Sequence, residues 1–190
     1  ATIPAILKTK FNTNEILTSL MLTYVALFIL DYFVVGPWKD PAGYGLPKSM
    51  PFPDAGRLPV LFDGLRVHIG VYFAIIICFI TYIVYNKTLF GFKLKVSGLS
   101  SKASQYAGFK YKNLIFYTFI ISGACAGLAG LFEVSGPIGL LYRDISPNYG
   151  FTAIIVAFLG RLNPIGIILS SLLIALTYLG AEDAQLFLKI

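Results

Sequence analysis

Three apolar stretches of membrane-crossing length, and a fourth interrupted near its middle, leave this chain few folds to choose from. A helix needs about 20 apolar residues to cross the hydrocarbon core of a bilayer. Runs close to that length occupy residues 16–35, 69–85 and 114–132. Inside hydrocarbon every backbone N–H and C=O must be satisfied within the segment, so such runs read as helices. The fourth run, 151–179, is too long for one upright helix and is broken by Gly160, Arg161, Leu162, Asn163 and Pro164. Gly160 can end a half-helix over 151–160, Asn163 can cap the next helix, and Pro164 suits its first position. The spacing predicts a full helix over 164–180. The expected fold is an all-α integral membrane protein, a polytopic helical bundle in which residues 1–190 form one transmembrane domain belonging to something larger.

Composition agrees: 57% of the residues are hydrophobic and 13% charged, with a mean hydropathy of +0.77, far more apolar than a soluble domain of this size requires. The formal charge of +6 does not point to nucleic acid. Its basic residues cluster beside the spans instead of forming a basic face interleaved with aromatics. Cys78 and Cys125 fall inside apolar runs, where a thiol behaves as a small buried hydrophobe, and they support neither a disulfide framework nor a metal site. The chain opens on Ala1, with no basic region and cleavage site, so no signal peptide is expected.

Residues 86–111 hold five lysines and no acid, and Lys112 makes a sixth. A lysine-rich loop between spans lies on the cytoplasmic side, which assigns 86–113 to the cytoplasm. Its middle reads as a short surface helix. Ser100 or Ser101 can cap it, Leu99 can fold back on it, and Gly108 is a natural stop. Lys8 and Lys10 place the start of the first span on the same side, so residues 36–68 are expected outside. That loop carries Lys39, Lys48, Arg57 and Arg66 with Asp40, Asp54 and Asp63, so the charge contrast is moderate. Its prolines, 37, 41, 47, 51, 53 and 59, rule out a long helix. Trp38, Tyr44 and Phe52 suit a membrane interface.

In the third span Gly123, Gly127 and Gly130 share one helix face, a pattern that lets helix backbones approach closely in lipid. Packing within one subunit and dimerisation both fit it. Residues 133–137 are expected to break this helix, and the loop that follows holds Arg143, Asp144 and Asn148. Ionisable groups at membrane depth are candidates for a solute pathway because burying them is expensive. Asp31 lies near the outer end of the first span and can serve a pathway or simply reach the interface. Arg161, in the broken helix, either faces a polar solute beside exposed backbone groups or snorkels to the interface.

No catalytic constellation emerges. His68 is the only histidine, no serine has the setting of an intramembrane protease, and no Gly-x-x-x-x-Gly-Lys-Ser/Thr loop cradles ATP phosphates. Neither enzymatic activity nor a cofactor is expected, and energy for transport has to come from a partner.

Four blocks carry a family resemblance: NEILTSLMLTY at 14–24, TLFGFKLKVSGLSSKASQYAGF at 88–109, SGACAGLAG at 122–130 and GFTAIIVAFLGRLNPIG at 150–166. In this order they resemble the permease subunits of bacterial ABC importers, in the family that serves branched-chain amino acids, simple sugars and nucleosides. The Asn14-Glu15 opening and the Gly160–Pro164 break are most similar to the nucleoside-type permeases that work with basic-membrane-protein-like lipoproteins. Such permeases are roughly twice this length, which implies further spans on both sides of this chain.

The resemblance implies a plasma-membrane importer subunit. Its lysine segment would be the coupling loop, with Gly91, Lys95, Gly98, Ala103 and Gly108 matching the coupling pattern. Asn14, Glu15, Asp31, Arg161 and Asn163 are the pathway candidates. It also implies a pair of cytoplasmic ATP-binding subunits, a second permease subunit and an external solute-binding lipoprotein. The chain departs from the family where an Arg-Ala pair and an acidic or Asn-rich turn are common; here stand Lys95-Val96 and Leu99-Ser100-Ser101. Rival readings are an ion-coupled secondary transporter, for which Asp31 is the only available intramembrane acid, an intramembrane enzyme and a structural assembly subunit.

Overall fold

This computed structural model describes residues 1–43, 45–59, 68–143, 145, 146 and 148–188. Tyr44, Asp63, Arg66 and Asp144, singled out above, lie outside the described residues. The chain is helical: α1 (Thr2–Phe11), α2 (Glu15–Val35), α3 (Gly70–Lys87), α4 (Leu89–Leu99), α5 (Ser101–Tyr106), α6 (Tyr111–Glu133), α7 (Tyr149–Leu159) and α8 (Pro164–Leu188). Among the described residues, four segments are long and apolar enough to cross a membrane: Glu15–Val35, Gly70–Lys87, Tyr111–Gly136 and Pro164–Gln185. The 21 residues of α2 span about 31 Å at the helical rise, close to the hydrocarbon thickness. The 11 residues of α7 reach about half as far. Most large apolar side chains of these helices are exposed within the chain, as faces that meet lipid or other helices require.

Two compact units divide the chain. The first comprises Ala1–Phe73 and Phe92–Ile145. Within it α1 ends at Asn12, which takes the left-handed conformation (φ 52°), and Asn14 caps α2 by accepting a hydrogen bond from the Ile16 N–H at 3.0 Å. α1 lies antiparallel along the first half of α6. Ala1 sits against Gly123, while Thr9 and Lys10 share a cavity with Lys112 and Tyr117. At the opposite end of α6, the loop after α2 is stapled to the segment after α6. The amides of Ser49, Phe52 and Leu58 donate to the carbonyls of Leu141, Gly139 and Ser135, each at 2.8 Å. Trp38 stacks on Phe33 with ring centroids 4.6 Å apart. The described part of the proline-rich loop forms no long helix, as expected, and holds one 3₁₀ turn, Asp54–Gly56.

The second unit comprises Ala74–Gly91 and Ser146–Ile190. There α7 and α8 pack as a pair, with the Ser170 hydroxyl donating to the Val156 carbonyl at 2.9 Å. The Cys78 thiol donates to the Pro164 carbonyl at 3.2 Å. Cys78 thus acts as a small packed group.

Several expectations need correction. Residues 133–137 do not break the third long helix. A π-turn, Val134–Ile138, continues it, and the Gly139 N–H closes a wide turn on the Val134 carbonyl at 2.9 Å. Pro137 has no N–H to give an ordinary helical bond, and the wider turn accommodates that loss. The lysine segment is more helical than a loop with one short helix, because α4 precedes α5. Thr88 starts it: its hydroxyl donates to the Val84 carbonyl at 2.6 Å and accepts from the Gly91 N–H at 3.2 Å. Leu99 is 90% exposed and does not fold back on α5. Finally, α8 runs past residue 180 to Leu188, since the polar residues after Gly180 lower hydropathy without stopping a helix.

Candidate functional site

The lysine-rich segment and the broken helix hold most of the candidate residues. In the lysine segment the corner between α4 and α5 is built by three serines. The Ser100 side chain accepts from the Ala103 N–H at 3.2 Å and caps α5. Ser104 is fully buried, with its hydroxyl 2.8 Å from that of Ser97. Gly108 follows in the left-handed region (φ +73°), where a side chain is strained, and its N–H reaches the Gln105 carbonyl at 3.0 Å. Phe109 then turns inward, edge-on to Phe92 and beneath the Lys93 ammonium, which lies 5.5 Å from its ring centre.

This geometry leaves one side of α5 open. Ala103 is exposed and Tyr106 is 93% exposed. Lys95 lies on α4, half-buried. Gly98 meets nothing within 4 Å at its would-be Cβ and lines a cavity of about 310 Å³ together with Lys8, Glu15 and Thr118. A coupling candidate and a pathway candidate therefore border one cavity. Glu15 is held there by Lys8, whose ammonium lies 2.6 Å from its carboxylate. Gly91 belongs to the second unit, where a Cβ would strike the carbonyl oxygens of Val84 and Tyr85.

The remaining pathway candidates are spread over both units, each with its own contacts. Asn14 and Asn163 commit their side-chain oxygens to helix caps, Asn163 accepting from the Ile165 N–H at 3.1 Å. Asp31 pairs through one oxygen with Arg143 Nε at 3.2 Å. Its other oxygen is buried without a hydrogen-bond partner among the described residues. An unpartnered carboxylate oxygen in such a place is costly, so Arg143 matters more here than at a solvated surface pair. Arg161 and Leu162 both take left-handed conformations (φ 53° and 55°), and both are exposed. Non-glycine residues in this region store strain of about 1–3 kcal/mol each. The turn is closed by Gly160 and Gly166, whose backbones touch: a Cβ on Gly160 would lie 2.7 Å from Ile167 N. Of the glycine stripe, Gly123 is covered by Ala1, whereas Gly127 and Gly130 face nothing within 4 Å among the described residues.

The sequence reading missed Thr88, Ser97 and Ser104. Thr88 carries a local signal, a hydroxyl residue before a helix three positions from an amide in need of a partner. Ser97 and Ser104 carry none, because their contact depends on the corner between two helices.

A multi-pass helical membrane protein with a discontinuous helix and a basic, locally capped connecting segment has the general plan of a transport subunit. Residues 1–185 match the model of the family described as "Branched-chain amino acid transport system / permease component", and the chain belongs to that family. It is 35% identical to a glucose ABC transporter permease protein of Haloferax volcanii, across 97% of this chain and 51% of that protein. It is 32% identical to a guanosine ABC transporter permease protein of Bacillus subtilis, across 94% and 52%. Identity is 31% to a nucleoside ABC transporter permease protein of Lactococcus lactis, across 94% and 51%. The chain spans about half the length of these curated relatives. No solved structure gives a significant match.

Proposed function

We propose that this chain is the membrane-spanning part of an ATP-driven importer of the plasma membrane, a transport subunit for nucleosides or a similar sugar-bearing solute. The family match over residues 1–185 carries this reading. The relatives' names narrow the solute, since glucose, guanosine and other nucleosides all present a hydroxylated sugar. ATP would be hydrolysed by a separate pair of cytoplasmic subunits. A second permease subunit and an external solute-binding lipoprotein complete the assembly.

In this reading α4 and α5 lie in the cytoplasm and residues 36–68 outside. The exposed side of α5, with Ala103 and Tyr106, is the contact for the ATP-binding subunits. Closure of those subunits on ATP would draw α5 with them. Differential binding of ATP to the closed state would then shift the spans between inward-open and outward-open populations. The Ser100 cap and the left-handed Gly108 support this role, because they define the two ends of α5.

The test is uptake of labelled nucleosides, ribose and leucine by vesicles holding the complete permease with its ATP-binding subunits and binding protein. ATP-dependent nucleoside uptake is expected. Uptake of ribose or leucine alone would keep the family and move the solute, and uptake driven by an ion gradient without ATP would overturn the reading. Gly108→Pro, which removes the N–H bonded to Gln105 and cannot adopt φ +73°, should uncouple ATP hydrolysis from uptake while leaving membrane insertion intact. Ala103→Glu should do the same. Normal coupled uptake in both variants would remove α5 from the coupling role.

A further inference from the structure

Where α1 meets the start of α6, a cavity of about 520 Å³ is lined by Thr9, Lys10, Lys112, Asn113, Phe116 and Tyr117. Two elements bring cations to it, and none of its lining residues among those described is acidic. The local charges do not cancel. Lys8, the other lysine in the last turn of α1, is paired with Glu15, and that pair borders a different cavity. Lys10 and Lys112 are both exposed and have no acidic partner among the described residues. The first turn of α6 contains no acid either, so its amide dipoles add to the positive field.

Depth distinguishes this cavity from a merely solvated basic surface. Lys112 and Asn113 stand at the start of the segment Tyr111–Gly136, which is apolar and long enough to cross a bilayer. Phe116 and Tyr117 lie one helical turn further along the same helix, about 6 Å deeper. Tyr117 is 53% exposed. Cations at the level of the lipid headgroups with aromatic rings just below them match a phospholipid. Its phosphate needs donors and positive charge, and its glycerol and first methylenes need an apolar wall.

We propose that this cavity between α1 and α6 is a binding site for the phosphate headgroup of an anionic phospholipid. The ammonium groups of Lys10 and Lys112 hold the phosphate, the Asn113 amide adds a donor, and Phe116 and Tyr117 receive the glycerol end. The inference stands apart from the transport reading, because it requires only that α6 crosses a bilayer.

The test is native mass spectrometry of the complete, purified permease assembly titrated with phosphatidylglycerol or with phosphatidylcholine. Wild type is expected to retain phosphatidylglycerol in preference to phosphatidylcholine. A cation near an anionic headgroup contributes about fivefold in binding, so Lys10→Gln with Lys112→Gln should weaken retention by roughly twenty-five-fold. Lys10→Arg with Lys112→Arg should restore it. Lys39→Gln with Lys48→Gln, beyond the far end of α2, should leave it unchanged. Equal retention of the two lipids by wild type, or undiminished retention by the double Gln variant, would overturn the proposal. Displacement of the lipid by inorganic phosphate at equal concentration would replace it with a site for free anions. Loss of ATP-binding subunits from the double Gln variant with lipid retention intact would assign the cations to that protein contact instead.

Discussion

The turn between α7 and α8 and the glycine stripe of α6 use the same residue in opposite circumstances. At the turn, Gly160 and Gly166 bring backbone onto backbone, and a Cβ on either would overlap main-chain atoms. Along α6, three glycines share a face, yet among the described residues only Gly123 has a neighbour close enough to forbid a side chain. Glycine spacing records that a close approach is possible. It does not record whether the approaching partner belongs to the same chain. The turn spends its glycines within the second unit, while Gly127 and Gly130 have room to spare within the first.

Substitutions can break or sharpen this contrast. Gly160→Val should have the largest effect, because the atoms in its way are backbone and cannot move aside. A loss upward of about 3 kcal/mol is expected, enough to abolish the α7–α8 pair. The yield of monodisperse assembled protein and its thermal unfolding would report it, and near-wild-type behaviour would mean that the two backbones are not in contact. Gly123→Leu comes next. The Ala1 methyl group lies where its side chain must go, and overpacking of this kind costs about 1–3 kcal/mol. An unchanged unfolding temperature would remove α1 from the face of α6.

Ser100→Ala tests a site stabilised locally rather than by tertiary contact. Loss of the cap on α5 should cost about 1 kcal/mol, and faster hydrogen exchange at the Ala103 amide, its partner, would show the effect in place. Gly127→Ala should change least, within about 0.5 kcal/mol, since no described residue meets the added methyl group and alanine favours the helix. A large fall in the stability of the assembled permease would mean that another helix covers the stripe. The stripe and the turn would then be alike after all.

Hydropathy and capping made much of this chain legible from its residues. The four long helices lie where their apolar runs predict, because burial of the backbone in hydrocarbon leaves helix as the available structure. The stop at Gly108, the cap at Ser100 and the Asn163-Pro164 restart were readable because each depends on atoms within four residues of the named one. The helix α4 was not legible. Gly91 and Gly98 are poor helix formers, and that the approach of the Val84 and Tyr85 carbonyls requires a glycine at 91 is visible only in the fold. The π-turn at 134–138 was hidden for a similar reason, since Pro137 forbids an ordinary bond without forbidding a wider one.

By itself the sequence determined the class of protein, the number and order of its spans, the local ends of its helices and the family blocks. Each of these follows from apolar length, charge placement or a residue's own backbone preference. Only the tertiary structure decided that Lys8 neutralises Glu15, that Arg143 engages Asp31 and that Ser97 meets Ser104. These contacts join groups at separations that no local periodicity encodes, and each exists because helix packing brings distant turns to the same depth.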